Sequence, residues 1–212
     1  MSEKQLVPVW DILVRIFHWS LVLAFTIAYL TEDDLEDLHV YAGYVVLGLI
    51  SFRVVWGFIG SRYARFSNFI YSFTEIKTYI SSLLTDKPKH YLGHNPAGSV
   101  MILALLASLF ATTLSGVKVY GVQGYGPLAD NSAEFAIISE AHAHGDNKHE
   151  DDKNGTKKEE SEEEKFWEEI HEFFSNFTLL LIFIHIAGVV VASRIHGENL
   201  VKAMFTGKKE DI

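Results

Sequence analysis

Four long apolar runs, separated by strongly polar segments, dominate the chain. They cover residues 12–30, 40–59, 97–117 and 173–193, and each is 19 to 21 residues long. An α-helix needs about 20 consecutive apolar residues to cross the hydrocarbon core of a bilayer. Helices of a soluble bundle would each carry a polar stripe, whereas these runs are apolar nearly all round. The pattern therefore predicts an all-α integral membrane protein, a bundle of four transmembrane helices at about 10–31, 39–60, 96–118 and 165–193.

The polar segments between the runs complete a single membrane domain over 1–212. The first run is too long for a signal peptide and lacks a small-residue cleavage site, so we expect it to remain as a helix. Segment 61–95 has apolar residues close to helical spacing, which predicts an amphipathic helix on the membrane surface. These residues are Phe69, Ile70, Phe73, Ile76, Ile80 and Leu83 or Leu84. Segment 119–164 is a long loop with an acidic, His-rich insert at about 137–165.

The distribution of lysine and arginine predicts the orientation in the membrane. Segment 61–95 and the C-terminal tail hold most of the basic residues near helix ends, whereas the loop at 31–38 has five acidic residues and no basic one. Basic loops stay in the cytoplasm. We therefore expect both termini to be cytoplasmic in a bacterial inner membrane, with the long loop 119–164 outside.

Charge and cysteine content exclude several kinds of chemistry. The chain has a net charge of −9, which makes a nucleic-acid partner unexpected, and it has no cysteine. Iron–sulfur clusters held by cysteine, covalent c-type haem, disulfides and cysteine nucleophiles are thereby excluded. Histidine is the strongest remaining metal ligand, and the chain has ten.

Four of these histidines lie in or at the edge of the apolar runs and match in depth as two pairs. His171 and His185 are 14 residues apart on the last run, which is roughly 21 Å along one helix face. His39 lies at the outer depth of His171, and His18 lies at the cytoplasmic depth of His185. A histidine inside a membrane can simply be a hydrogen-bonded core residue, but ionisable residues there usually serve function. The pairing predicts axial ligands of two haems, His39 with His171 outside and His18 with His185 on the cytoplasmic side.

Haem propionates are anions, and three cations lie at suitable depths. Arg15 is one turn before His18, Arg53 is 14 residues after His39, and Lys118 ends the third run. Arg15 and Lys118 could instead extend to the membrane interface, as basic side chains near helix ends commonly do. Arg53 lies farther from a helix end and is the stronger candidate for a propionate partner.

Sequence motifs along nearly the whole chain resemble those of the bacterial cytochrome b561 family, which includes the cytochrome b subunit of nickel–iron hydrogenases. They include VWDILVRIFHW at 9–19, HVYAGY at 39–44, RVVWGFIG at 53–60, GHNP at 93–96, GYGPLA at 124–129, HIAG at 185–188 and HGENL at 196–200. The resemblance implies a di-haem membrane cytochrome that carries electrons between the quinone pool and a partner redox protein. It also implies that His18, His39, His171 and His185 are the haem ligands, in agreement with the pairing by depth.

Three functions are consistent with these features. Haem iron with two histidine ligands has no open position, so its work is electron transfer in a respiratory chain. The first function is a subunit with two haem b groups that links quinone to a periplasmic c-type cytochrome or an oxidoreductase such as hydrogenase. The second is a stand-alone superoxide:quinone oxidoreductase. With both functions open, the chain could be an electron-transfer subunit or an enzyme in its own right. The third is a non-redox membrane protein that handles metal. The sequence also leaves open a homodimer.

The insert is the part of the chain that departs from the family motifs. His142, His144 and His149 could hold a metal ion, but close histidines in a polar, charged tract usually form a weak and adventitious site. Low hydrophobicity and dense charge predict a loosely ordered loop. Its acidic residues could also attract a basic redox partner by long-range electrostatics.

Overall fold

Four membrane-length helices form the body of the protein. A computed structural model of the chain describes residues 6–32, 34–83, 89–129 and 161–210. Within these ranges, the helices Ile12–Leu30, Glu36–Ile59, Pro96–Val122 and Glu162–His196 are long and apolar enough to cross a membrane. The prediction of a mostly helical chain with four candidate spans is therefore confirmed.

The elements follow one another in a simple order. They are β1 (Leu6–Pro8), α1 (Ile12–Leu30), α2 (Glu36–Ile59), a short 3-10 helix (Phe66–Asn68), α3 (Phe73–Ser82), α4 (Pro96–Val122), α5 (Glu162–His196), α6 (Leu200–Thr206) and β2 (Lys208–Glu210). Helix α3 lies within the segment where the sequence predicts an amphipathic helix. Of its residues only Tyr79 is buried, while Phe73 and Ile80 are exposed.

The helix ends explain where the structure differs from the sequence-predicted bounds. Helix α2 begins at Glu36 rather than 39, with two acidic residues in its first turn, where carboxylates stabilise the positive end of the helix dipole. Helix α5 extends over 162–196 rather than 165–193. Ser161 caps its start, and Gly197 ends it with a φ of 63°. At about 1.5 Å per residue, its 35 residues exceed the thickness of a bilayer core.

Three helix–helix interfaces hold the bundle together. Helix α5 packs most extensively on α4, and α2 packs on both α1 and α4, with a small core of Ala24, Val46, Ile50 and Leu109. Between α4 and α5, Thr178 is fully buried. Its hydroxyl lies 2.6 Å from Ser108 Oγ and 3.2 Å from Thr112 Oγ1. Hydroxyl pairs of this kind link helices where water is absent.

The two ends of the described chain meet on one face of the bundle, which we call the terminal face. Strands β1 and β2 pair antiparallel, with Val7 opposite Lys209. The Trp19 ring stacks on Phe205 with 4.2 Å between centroids, and Arg15 Nη1 donates to the Phe205 carbonyl oxygen at 2.5 Å. The sequence analysis did not predict this ribbon, because strands of three residues carry no recognisable periodicity.

Candidate functional site

Helices α2 and α5 bring two of the predicted ligand histidines together on the face opposite the termini. The rings of His39 and His171 lie nearly perpendicular, with 6.0 Å between centroids. Imidazole nitrogens bind metals at about 2.0–2.1 Å. Two such bonds therefore account for about 4 Å of the separation, and the remainder matches the distances from ring centres to ligating nitrogens. The spacing fits two imidazoles on opposite sides of one metal ion.

Backbone carbonyls fix the tautomer of both rings. His39 Nδ1 donates to the Ala28 carbonyl oxygen at 2.8 Å, and His171 Nδ1 donates to the Thr112 carbonyl oxygen at 2.8 Å. Since a carbonyl oxygen can only accept, Nδ1 carries the proton in each ring. The lone pair of Nε2 is then available to a metal, as is usual for histidine ligands.

A partly open cavity beside these histidines has a lining that suits a flat apolar group. It has an empty volume of about 670 Å³, part of which is open to the surroundings, and is lined mostly by aliphatic and aromatic residues of α1, α2 and α4 with both histidines. At Gly43, a side chain would meet no protein atom within 4 Å. At Gly116, a Cβ would lie 2.9 Å from Cε1 of His171, so only glycine leaves room for that ring. Tyr44 lines the same cavity, and its shielded hydroxyl has no hydrogen-bond partner.

The second pair of predicted ligands lies toward the terminal face. His185 is near enough to His18 to interact with it electrostatically, although within the described ranges the two rings make no direct contact. The Nδ1 atom of His18 is shielded and has no partner. Thr178 is seven residues from both His171 and His185, so the buried hydroxyl cluster lies midway between the two histidine pairs.

The three predicted propionate partners have different surroundings. Arg53 is 3% exposed, and its Nη2 donates to the Ala64 carbonyl oxygen at 3.1 Å while Nη1 has no partner. Arg15 is bonded to the C-terminal segment, and its Nε is shielded without a partner. Lys118 does not line the cavity near His39, and its Nζ lies 5.9 Å from the centroid of the Trp167 ring.

A polar cluster on the terminal face was not identified from the sequence. His90 Nε2 lies 2.7 Å from Glu198 Oε1, and Lys209 Nζ lies 2.9 Å from Glu198 Oε2. Burial favours the neutral carboxyl, but the hydrogen bonds from Lys209 and His90 outweigh it and hold the pKa of Glu198 below its usual value. The cluster joins segments about 110 residues apart. Only the HGEN motif around Glu198 could have drawn attention to it.

His94 also lies on the terminal face, immediately before α4. Its ring contacts Trp10 and Phe69, with centroid distances of 4.5 and 4.7 Å. Burial, together with the charges of Arg53, Lys209 and His185, lowers the pKa of His94 to about 3. The side chain is therefore neutral at physiological pH.

The predicted accessory metal site lies outside the described residues, since none of its three histidines, His142, His144 and His149, is among them. In the ranges that the structure does describe, no group of three or more histidine, aspartate or glutamate side chains could hold a metal ion.

An all-α membrane bundle with paired, tautomer-fixed histidines beside an apolar cavity defines the class of membrane haem proteins of the cytochrome b type. Comparison with known proteins agrees. The chain matches the prokaryotic cytochrome b561 family over residues 9–207, and it belongs to that family. Haem b is the prosthetic group of such cytochromes, and the residues around His39 and His171 fit it.

Two relatives have the same printed name, probable Ni/Fe-hydrogenase B-type cytochrome subunit. The one from Rhodobacter capsulatus is 25% identical over 165 residues, which cover 65% of this chain and 60% of the relative. The one from Rhizobium leguminosarum bv. viciae is 27% identical over 149 residues, which cover 56% of this chain and 61% of the relative. The chain thus spans about three fifths of the length of these relatives. No solved structure gives a significant match.

Proposed function

We propose that this protein is a di-haem b-type cytochrome that carries electrons across the bacterial inner membrane. In this proposal, His39 and His171 ligate one haem, and His18 and His185 ligate the other. The observation that supports it is the pair of Nδ1 to carbonyl hydrogen bonds, which leave Nε2 of His39 and of His171 free to ligate a metal, in rings whose centroids are 6.0 Å apart. Six-coordinate haem b would supply one-electron transfer without an open coordination site.

The long helix α5 supports the assignment of a second haem. It carries His171 and His185 on nearly the same face, about 21 Å apart by helix rise. His18 approaches His185 from α1, and shielded polar atoms without a partner cluster at this level of the bundle. A bound group with hydrogen-bonding substituents would satisfy some of these atoms. We assign a propionate-binding role to Arg53, which is 3% exposed and whose Nη1 has no partner. Arg15, whose Nε also lacks a partner, is a second candidate, whereas Lys118 lies over Trp167.

We further propose that the terminal face is cytoplasmic and that quinone exchanges electrons with the protein within the membrane. The described loop between α1 and α2 and the start of α5 are rich in acidic residues, whereas the terminal face carries Arg62, Arg65 and Lys202. This distribution follows the rule that basic residues stay in the cytoplasm. An acidic outer surface would also favour the approach of a basic redox partner.

The periplasmic partner that we propose is an oxidoreductase such as hydrogenase, with a c-type cytochrome as the other candidate. The names of the two relatives support the first choice. Hydrogen-dependent haem reduction in native membranes would support a hydrogenase partner. Haem that responds to a reduced c-type cytochrome but not to hydrogen would contradict it. Rapid haem reduction by superoxide in the isolated protein would instead favour a stand-alone enzyme.

Single-ligand variants test the central proposal. We expect purified protein to contain two b-type haems by pyridine haemochrome analysis. His39→Ala and His171→Ala should remove one and the same haem, and His18→Ala and His185→Ala should remove the other. Reduced-minus-oxidised spectra distinguish the two. A wild-type protein without haem b would refute the proposal, and identical spectral losses in folded His39→Ala and His18→Ala proteins would refute the pairing.

A further inference from the structure

Arg53 is a buried cation without a counterion inside the described part of the chain. Its Nη2 is bonded to a carbonyl oxygen, its guanidinium carbon lies 5.2 and 5.9 Å from the centroids of the Phe66 and Phe69 rings, and Nη1 has no partner. A buried charge is costly unless an anion or several hydrogen bonds compensate it. A bound anion beside Nη1 would supply that compensation.

The carboxylate that interacts with Arg53 electrostatically is already occupied by other donors. Asp11 Oδ2 accepts hydrogen bonds from Ser61 Oγ at 2.5 Å and from Trp56 Nε1 at 3.3 Å. Its Oδ1 accepts the backbone N–H of Val14 as the cap of α1. Asp11 therefore orders the start of α1 and does not form an ion pair with Arg53.

His94 contributes a second shielded nitrogen beside the same aromatic ring. The Tyr71 hydroxyl donates to the His94 carbonyl oxygen at 2.9 Å, and Asn95 caps α4 one residue later, so the backbone here is held on both sides. The His94 ring contacts Phe69, the same buried ring that faces Arg53. Its Nδ1 atom is shielded from solvent and has no partner. Two residues on separate elements, each with an unpartnered side-chain nitrogen, thus lie against the same aromatic ring.

We propose that Arg53 Nη1 and His94 Nδ1 together bind a propionate carboxylate of the haem held by His18 and His185. The inference rests on the proposed function and adds His94 as a residue that binds the cofactor. His94, which contacts Trp10, and Arg53, which is bonded to Ala64, lie at the end of the bundle where the termini meet, so the nearer haem is the one that we assign to His18 and His185. The electrostatic interaction of His94 with His185 agrees with this assignment. Charge-assisted hydrogen bonds from arginine are the usual means of holding a carboxylate.

Two other basic side chains of the terminal face already have a carboxylate partner. Lys209 is paired with Glu198 and also donates to the Tyr91 carbonyl oxygen. His90 is bonded to Glu198 as well. His90 therefore serves as a matched control, since it lies in the same connecting segment as His94 but already has a carboxylate partner.

The test is a redox titration of the holoprotein with haem content measured in parallel. The carboxylate charge favours ferric haem, and the two donors offset that charge. We therefore expect His94→Leu and Arg53→Gln to shift one haem toward the ferric form by about tenfold at a fixed potential, which is about 59 mV for a one-electron couple. His94→Gln, which can still donate, and Arg53→Lys, which keeps the charge, should recover most of the shift. His90→Gln should leave both potentials unchanged.

A His39→Ala background identifies the haem that responds. It should retain only the haem of His18 and His185, and the shift should persist there. No shift in His94→Leu or Arg53→Gln protein with full haem content would overturn this inference and leave the proposed function intact. Absence of haem from wild-type protein would overturn the proposed function itself.

A lipid phosphate is the other anion that these donors could bind. Titrations in neutral detergent and in nanodiscs that contain anionic lipid separate the two sources. An equal shift in both supports the haem carboxylate. A shift that appears only with anionic lipid would refute that assignment.

Discussion

Gly116→Ala should disrupt the site of His39 and His171 without disrupting the bundle. The added Cβ would lie 2.9 Å from Cε1 of His171, closer than Cβ atoms pack in proteins, and 3.1 Å from Nδ1, which is also unusually close. The ring must move away and lose part of its hydrogen bond to the Thr112 carbonyl oxygen. Extra methyl groups in a packed interior typically cost about 1–3 kcal/mol. If most of this cost falls on the ligand geometry, the affinity for haem falls by roughly 5-fold to more than 100-fold.

The assay for Gly116→Ala is haem content per chain, with reduced-minus-oxidised spectra to identify the haem that is lost. Gly48→Ala is the matched control, because a Cβ at Gly48 meets no atom within 4 Å and the residue does not line the cavity. The control should keep both haems. The reasoning is refuted if Gly116→Ala keeps wild-type haem content and spectra, or if it loses the haem that His18→Ala removes.

Three further substitutions test the cavity, the helix seam and the terminal face. Gly43→Ala should leave the unfolding temperature unchanged, because no protein atom lies within 4 Å of the new methyl, but should lower occupancy of the adjacent haem. Equal haem content would contradict the placement of the cofactor. Thr178→Val removes interhelical hydrogen bonds and should cost about 0.6–1.7 kcal/mol in detergent. Thr26→Val loses only a hydrogen bond within its own helix and should lower the free energy of unfolding by less. An equal loss in the two variants would contradict a stabilising role for the interhelical hydrogen bonds of Thr178. Glu198→Gln should lower the unfolding temperature at neutral pH. Hydrogen bonds from Lys209 and His90 outweigh the effect of burial and hold the pKa of Glu198 below its usual value. The stabilisation of the folded protein by ionised Glu198 is therefore present above the unfolded pKa of about 4.5 and is lost as pH falls below it. The difference from wild type should therefore disappear in acid, and a difference independent of pH would contradict this.

Hydropathy alone predicted the apolar parts of the long helices but not their polar ends. It located four candidate spans because membrane helices must be apolar on nearly every side over a length that the bilayer determines. It did not locate the polar start of α5 at Glu162, since a serine cap and three glutamates stabilise a helix without contributing any apolar signal.

For the candidate site residues, depth in the membrane was easier to predict than the neighbours that each side chain contacts. Helix polarity and rise place His39 and His171 at one level, and the structure brings their rings together. Lys118 was placed at a suitable depth by the same reasoning, but its side chain lies over Trp167. Depth depends only on position in a helix, whereas the direction of a long, flexible side chain depends on which neighbour it meets.

The sequence alone determined the membrane class, the four candidate spans and the pairing of histidines by depth, because the bilayer turns residue number into position along one axis. Only the tertiary structure decided what surrounds each histidine. The carbonyl groups that fix the tautomers, the glycine that admits His171 and the approach of Arg53 and His94 to the Phe69 ring all involve residues on different elements. Their contacts depend on how the helices rotate and pack, and no local pattern records that rotation.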